Sequence, residues 1–149
     1  MKLSKVFGLL VSSVVLVCFV IACSSPEPTA TPAPTATPAP TTVKIGLLSP
    51  QTGPIAQFSP GFEDAGAVAI SELNEAHKDF QFELIIGDSG CDPTQAATAA
   101  QSLIDTGVSV IVGAACSGAT LGAIAVAAPA GIPMVSYAST SPAVTTAAD

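Results

Sequence analysis

Basic residues are scarce in this chain. Four lysines and no arginine stand against eleven Asp and Glu in 149 residues, a formal charge of −7, and only 10% of residues are charged at all. A surface that binds nucleic acid needs clustered Lys and Arg to neutralise phosphates. No such cluster exists, so that class of partner is excluded. His77 is the only histidine, and beside Lys78 at the end of a helical pattern it suits a solvated role better than a chemical one. The chain also lacks Gly-x-Gly-x-x-Gly, a P-loop and a Gly-x-Ser-x-Gly elbow. Cysteine and histidine never recur at metal-ligand spacing. These omissions leave no catalytic residue, cofactor or metal site to nominate, and they place an enzyme behind a binding protein among the candidate functions.

What is present begins with an export signal. Lys2 and Lys5 precede an apolar run from Val6 to Ala22, broken by Ser12 and Ser13. The run is short for a membrane span and closes on the small-residue junction Val20-Ile21-Ala22-Cys23. That junction resembles the lipobox of bacterial lipoproteins, which implies lipidation of Cys23 as the first mature residue and attachment to the membrane through the lipid. A retained anchor helix is the alternative, and either arrangement places the remainder outside the cytoplasm. Loss of residues 1–22 leaves Lys44 and Lys78 against all eleven acidic residues, a formal charge of −9, which suits a solvated extracytoplasmic surface. Cys18 falls within the signal, so Cys91 and Cys116 are the cysteines left for the folded part. In an oxidising compartment they form a natural disulfide, with two free thiols as the other possibility. Closing a loop of that size is worth ~3 to 4 kcal/mol on a chain-entropy view.

Ser24 to Thr42 nearly repeats Pro-Ala-Pro-Thr-Ala-Thr. Proline at this density removes amide donors and favours extended polyproline II, so residues 23–42 read as a lipidated cysteine and a Pro/Thr/Ala-rich linker, a semi-rigid spacer of ~3.1 Å per residue. Residues 43–149 then carry the domain. Val43 to Leu48 is a compact apolar run that feeds the turn-rich Gln51-Thr52-Gly53-Pro54, a strand followed by a loop. Ser59-Pro60 has the form of a helix cap with proline in the first position, Glu63 and Asp64 suit the positive end of the dipole, and the helix is expected over 61–75. Phe80 to Gly87 reads as a second strand near a sheet edge. Asp92-Pro93-Thr94-Gln95 is a capping-box pattern that opens a helix stopped at Gly107. Val108 to Val112 is the third strand, Ser117 opens a helix ended by Pro129-Ala130-Gly131, Ile132 to Val135 is the fourth strand, and Ser141-Pro142 starts one more helix. Strands that alternate with helices call for α/β architecture: a flavodoxin-like, doubly wound parallel sheet covered on both faces. In such sheets ligands settle outside the carboxyl ends of the strands, and helix N-termini attract anions, which points to Ile111–Thr140 as the recognition site.

Four stretches carry a specific resemblance: Gly-Pro-Ile-Ala-Gln-Phe (53–58), Gly-Cys-Asp-Pro-Thr-Gln-Ala (90–96), Gly-Ala-Ala-Cys-Ser-Gly-Ala-Thr (113–120) and Ser-Tyr-Ala-Ser-Thr-Ser-Pro (136–142). In their order and approximate spacing, residues 43–146 resemble the first, N-terminal lobe of type I periplasmic binding proteins, close to the branched-chain amino acid receptors of ABC importers. The resemblance implies a leucine-, isoleucine- or valine-like ligand, an ABC permease as membrane partner, and a ligand site that includes Phe58, Cys116, Ser117, Ala138, Ser139 and Thr140. By that resemblance Ser117 meets the α-carboxylate through its hydroxyl and amide, and the α-ammonium meets the carbonyl of Ala138 and the hydroxyl of Thr140. Phe58 packs on the ligand side chain, and Cys91 with Cys116 matches the family's disulfide. The chemistry is coherent on its own terms, because a zwitterion needs donors at one end and acceptors at the other, and neutral fixed dipoles cost less to desolvate than buried ions.

Plainer roles stand beside these. Ser117 can serve as a helix cap, Thr140 as a turn residue and Phe58 as loop packing, while Tyr137 has no assignable purpose. The family closes two lobes on its ligand, and this chain ends within the first, with the second lobe and its acidic residue absent. A fragment or truncated frame that binds leucine-like ligands weakly is therefore expected. Small amides, urea and aromatic acids are other ligands the resemblance allows, and a tethered solute sensor is the alternative to a transport receptor.

Overall fold

A computed structural model describes residues 39–147. The expected signal, Cys23 and most of the Pro-rich linker lie outside that span. Nine paired residues build the first contact of the sheet: β1 (Thr41–Ser49) runs parallel to β2 (Phe80–Asp88) from Thr41 opposite Phe80 to Ser49 opposite Asp88. On its other side β1 pairs with β3 (Val110–Val112), and β3 with β4 (Met134–Val135), so the order is β2-β1-β3-β4 with every neighbour parallel. The expected doubly wound α/β sheet is thus observed, with β2 at an edge.

The helices cover both faces. Helix α1 (Ser59–Ala76) lies on one, where Gly66 brings its backbone close to the side chains of Leu84 and Leu47. Helices α2 (Pro93–Asp105) and α3 (Ser117–Ala127) share the other face, and Ala96, Ala100 and Leu103 of α2 join Ala119, Ala123 and Ala127 of α3 in one buried cluster with Leu48 and Ile111. Alanine and glycine allow this closeness: a Cβ on Gly122 of α3 would run into the carbonyl of Pro93. A single helical turn, α4 (Ala143–Thr146), ends the described chain. Among the described residues no helix is long and apolar enough to cross a membrane.

Several element ends differ from expectation, each for a local reason. β1 starts at Thr41, inside the expected linker, because the Thr41 amide bonds Asp79 and its neighbours pair with β2. Helix α1 starts at Ser59, so Ser59 is its first residue and not its cap, its first turn holds no acidic side chain, and the dipole role expected of Glu63 and Asp64 is not realised. The Ser59 hydroxyl is engaged with Ser49 and Glu63 instead. Asp92 caps α2 as expected, accepting the amides of Thr94 and Gln95 at 2.9 Å, but the returning half of the box is missing because the Gln95 side chain binds Thr52 and Asp88. β4 is two residues long instead of four. Pro133 has no amide to give the ladder, and the Ile132 amide turns back to Ala127.

Candidate ligand-binding cleft

The strand order reverses direction between β1 and β3, and in open α/β sheets this is where a crevice opens at the carboxyl ends. Three loops meet there. The first follows β1, where Leu48 and Ser49 are fully buried. The Ser49 and Ser59 hydroxyls lie 2.6 Å apart, Ser59 donates to Glu63 at 2.7 Å, and the Gln51 amide donates to the same oxygen at 3.0 Å. The hydroxyl of Ser59 is the main reason the Glu63 carboxyl titrates below its usual value, opposed by burial and helped by Ser49 and Gln51.

The second loop follows β2 and is tied to the first. Asp88 accepts from the Thr52 amide (3.1 Å) and hydroxyl (2.7 Å), the Gly90 amide (2.9 Å) and the Gln95 side chain (2.8 Å). Burial pushes its carboxyl up, but the donors from Thr52 and Gly90 outweigh it and the pKa is lowered. Gly53, at φ +88°, sits so close to Gly90 that no side chain would fit. This loop leads to Cys91, paired with Cys116 across a Cα separation of 5.3 Å, which realises the expected disulfide and fixes the start of α3.

The third region joins the β3–α3 turn to the loop after β4. Gly113, at φ +125°, passes so near Leu48 that a Cβ would lie 2.7 Å from its carbonyl oxygen. The Ala114 amide donates to the buried Thr120 hydroxyl (3.0 Å), the Ala114 carbonyl accepts from Ser136 (2.8 Å), and the Thr120 and Ser139 hydroxyls lie 2.7 Å apart. The cap position of α3 is Cys116, and Ser117 is the first helical residue. The plainer capping role for Ser117 therefore fails. Its hydroxyl oxygen instead accepts the amides of Thr140 and Ser141, each at 3.2 Å.

The expected site residues thus fall into groups. Ser117 and Thr140 come into direct contact, and Ala138 lies exposed in the same loop. Ser139 shares the loop, but its hydroxyl faces inward to Thr120 and Ala114. Cys116 is committed to the disulfide beside Ser117. Phe58 is 56% exposed at the end of the 3₁₀ turn Ala56–Phe58. Among the described residues, the amides of Ser117 and Gly118, the carbonyl of Ala138 and the hydroxyl of Thr140 have no hydrogen-bond partner. These donors and acceptors belong to two segments that the hydrogen bonds of Ser117 to the Thr140 and Ser141 amides hold together. The sequence reading missed Tyr137. It is partly buried, donates to the Leu48 carbonyl at 2.9 Å, and stacks on Phe62 with ring centroids 4.7 Å apart. Burial, with help from the charge of Glu63, pushes its pKa up to about 12, so it stays a neutral donor. The available signal was its status as the only tyrosine, set beside Ala138.

Residues 42–148 match the model of the periplasmic binding proteins. The chain belongs to that family. Members related to it include the leucine-, isoleucine-, valine-, threonine- and alanine-binding protein of Pseudomonas aeruginosa, 35% identical over 106 residues that cover 70% of this chain and 28% of that protein. The Leu/Ile/Val-binding protein of Escherichia coli is 27% identical over 69% of this chain and 29% of its own length. Among solved structures, the branched-chain amino acid transporter substrate-binding protein of Streptococcus pneumoniae, in complex with isoleucine, aligns at a TM-score of 0.66 with 31% identity, over 71% of this chain and 31% of that one. A solute-binding protein of an ABC transporter from Rhodopseudomonas palustris, in complex with 3,4-dihydroxybenzoic acid, aligns at 0.65 with 28% identity, over 71% of this chain and 30% of that one. The chain spans under a third of the length of these relatives. The expected kinship to branched-chain amino acid receptors is borne out, and these relatives are solute-binding proteins, not enzymes.

Proposed function

We propose that this chain is the headgroup-binding lobe of an extracytoplasmic, lipid-anchored receptor that delivers branched-chain or related amino acids to an ABC importer. One observation carries the reading of the site. A serine hydroxyl has two lone pairs and one proton, and the Ser117 oxygen already accepts two amides. Its proton is what remains to offer, and it is offered beside the partnerless amides of Ser117 and Gly118 at the start of an 11-residue helix. That is a setting for an anion such as a carboxylate. The exposed Ala138 carbonyl and Thr140 hydroxyl supply acceptors for an α-ammonium. No covalent step is called for.

Isoleucine and 3,4-dihydroxybenzoic acid, each bound by a solved relative, share a carboxylate and differ in the ammonium, so the acceptor side would discriminate between these ligand classes. The mature chain, labelled with ¹⁵N, is titrated with isoleucine, leucine, valine and 3,4-dihydroxybenzoate. The expected result is millimolar-order binding of the amino acids, with amide shifts at Ser117, Gly118 and residues 138–141. Thr140→Val keeps the side-chain shape, and it is expected to weaken isoleucine about 5- to 10-fold, the loss of roughly one hydrogen bond, while leaving the benzoate unchanged. Shifts confined to other parts of the lobe, or none at all, would overturn the reading.

A further inference from the structure

We propose that Tyr137 forms the floor of the ligand's side-chain compartment and sets its depth. The inference rests on the headgroup reading above and deepens it. Strand order decides where the side chain lies. Tyr137 follows β4, its hydroxyl reaches the Leu48 carbonyl at the end of β1, and β3 stands between those strands. The side chain therefore crosses the carboxyl end of β3, along the point where the sheet reverses direction. Both of its ends are held. The hydroxyl is fixed by a main-chain carbonyl of a fully buried residue, and the ring by Phe62 of α1, with planes tilted 40°.

Two consequences follow for a bound amino acid. Because the hydroxyl is spent on Leu48, the crevice is offered ring carbon and not a polar atom. Because Tyr137 is bonded directly to Ala138, whose carbonyl serves the ammonium, a side chain leaving the ligand's α-carbon starts next to the ring. A floor pinned at two points yields little, so a side chain too long for the compartment is rejected by overpacking. Such pockets discriminate by size at on the order of tenfold or more per added group.

The test compares glycine, isoleucine and phenylalanine as probes on the ¹⁵N-labelled mature chain, with dissociation constants read from the amide shifts of Ser117 and Thr140. Tyr137→Ala is expected to raise the phenylalanine-to-isoleucine affinity ratio on the order of tenfold and to leave glycine, which has no side chain, unchanged. Tyr137→Phe keeps the ring and its contact with Phe62 but gives up the bond to Leu48, and it should move the ratio less than Tyr137→Ala does. Tyr137→Leu serves as the second truncation if alanine unfolds the loop. An equal change for all three probes would mean that the residue acts on loop order or on the headgroup, and would overturn the proposal. An unmoved ratio with glycine still bound at these amides would also overturn it while the headgroup reading survives. If none of the probes shifts the wild-type amides, both fall together.

Discussion

Asp88 never touches the proposed ligand groups, yet it decides where the β1 loop stands, because its two oxygens receive four donors from Thr52, Gly90 and Gln95. An amide at this position would place its own N–H groups against donors. Asp88→Asn is therefore expected to cost ~1–2 kcal/mol at pH 7. The effect should depend on pH in one direction. The folded-state pKa of Asp88 is lowered, so the carboxylate contributes its full stabilisation above the unfolded value of ~3.9 and loses it as pH falls through the folded value. Urea unfolding of both proteins at pH 7, 5 and 3 should show the gap persisting to pH 5 and closing toward pH 3. A gap of constant size would mean that packing and not charge is lost. At this scale the sequence was partly legible. Ser117 stood out because it opens a helix at the carboxyl end of a strand and matches the family's ligand position by resemblance, with capping as its plainer use. Its two amide donors were hidden, since they arrive from 23 and 24 residues away. Tyr137 was hidden for the same reason: its partner Leu48 lies 89 residues back.

Helix positions were legible where the signal is local and blurred where a neighbour decides. Asp92-Pro93 opened α2 where expected because a side-chain cap and a proline act within one turn. Ser59-Pro60 misled by one register: the Ser59 hydroxyl found Ser49 and Glu63, which freed it from capping. The short β3 and β4 could not be read from apolar runs alone, because pairing and the missing Pro133 amide set their length. The meeting of α2 and α3 offers the sharpest test of element packing. Alanine normally gains up to ~1 kcal/mol over glycine inside a helix, and Gly61 in α1 has open space where a Cβ would go. Gly61→Ala is expected to stabilise the lobe by about 0.5 kcal/mol. Gly122→Ala is expected to destabilise it by ~1–3 kcal/mol despite the same propensity gain, since its Cβ would meet the Pro93 backbone and the helices would have to part. Chemical denaturation of the two variants reads the opposite signs directly. A stabilised Gly122→Ala would show that the pair slides apart freely.

On the scale of the whole molecule, alternation of strands and helices made the parallel sheet legible, and the right-handed crossover rule limited which helices could share a face. Attachment of the chain turns on length and chemistry. Val6 to Ala22 holds 17 residues, about 25 Å as a helix at ~1.5 Å per residue, less than the ~30 Å of a bilayer core. As a retained anchor it would be short. As a signal that ends at Ala22, immediately before Cys23, it has the right size and the right junction. The proposed lipidation also fits the charge: an acidic mature chain of formal charge −9 gains nothing from anionic headgroups, and acyl chains, each buried CH₂ worth ~0.8 kcal/mol, would supply what that charge does not. Expressed from its first methionine in a bacterial host, the chain is expected to lose residues 1–22, to carry lipid mass on Cys23 by mass spectrometry, and to enter the detergent phase on partition. Cys23→Ala should abolish the lipid mass and move the chain to the aqueous phase, or leave it uncleaved with its signal attached. A wild-type chain that starts before Cys23 and carries no lipid would refute the tether and return the anchor helix to first place.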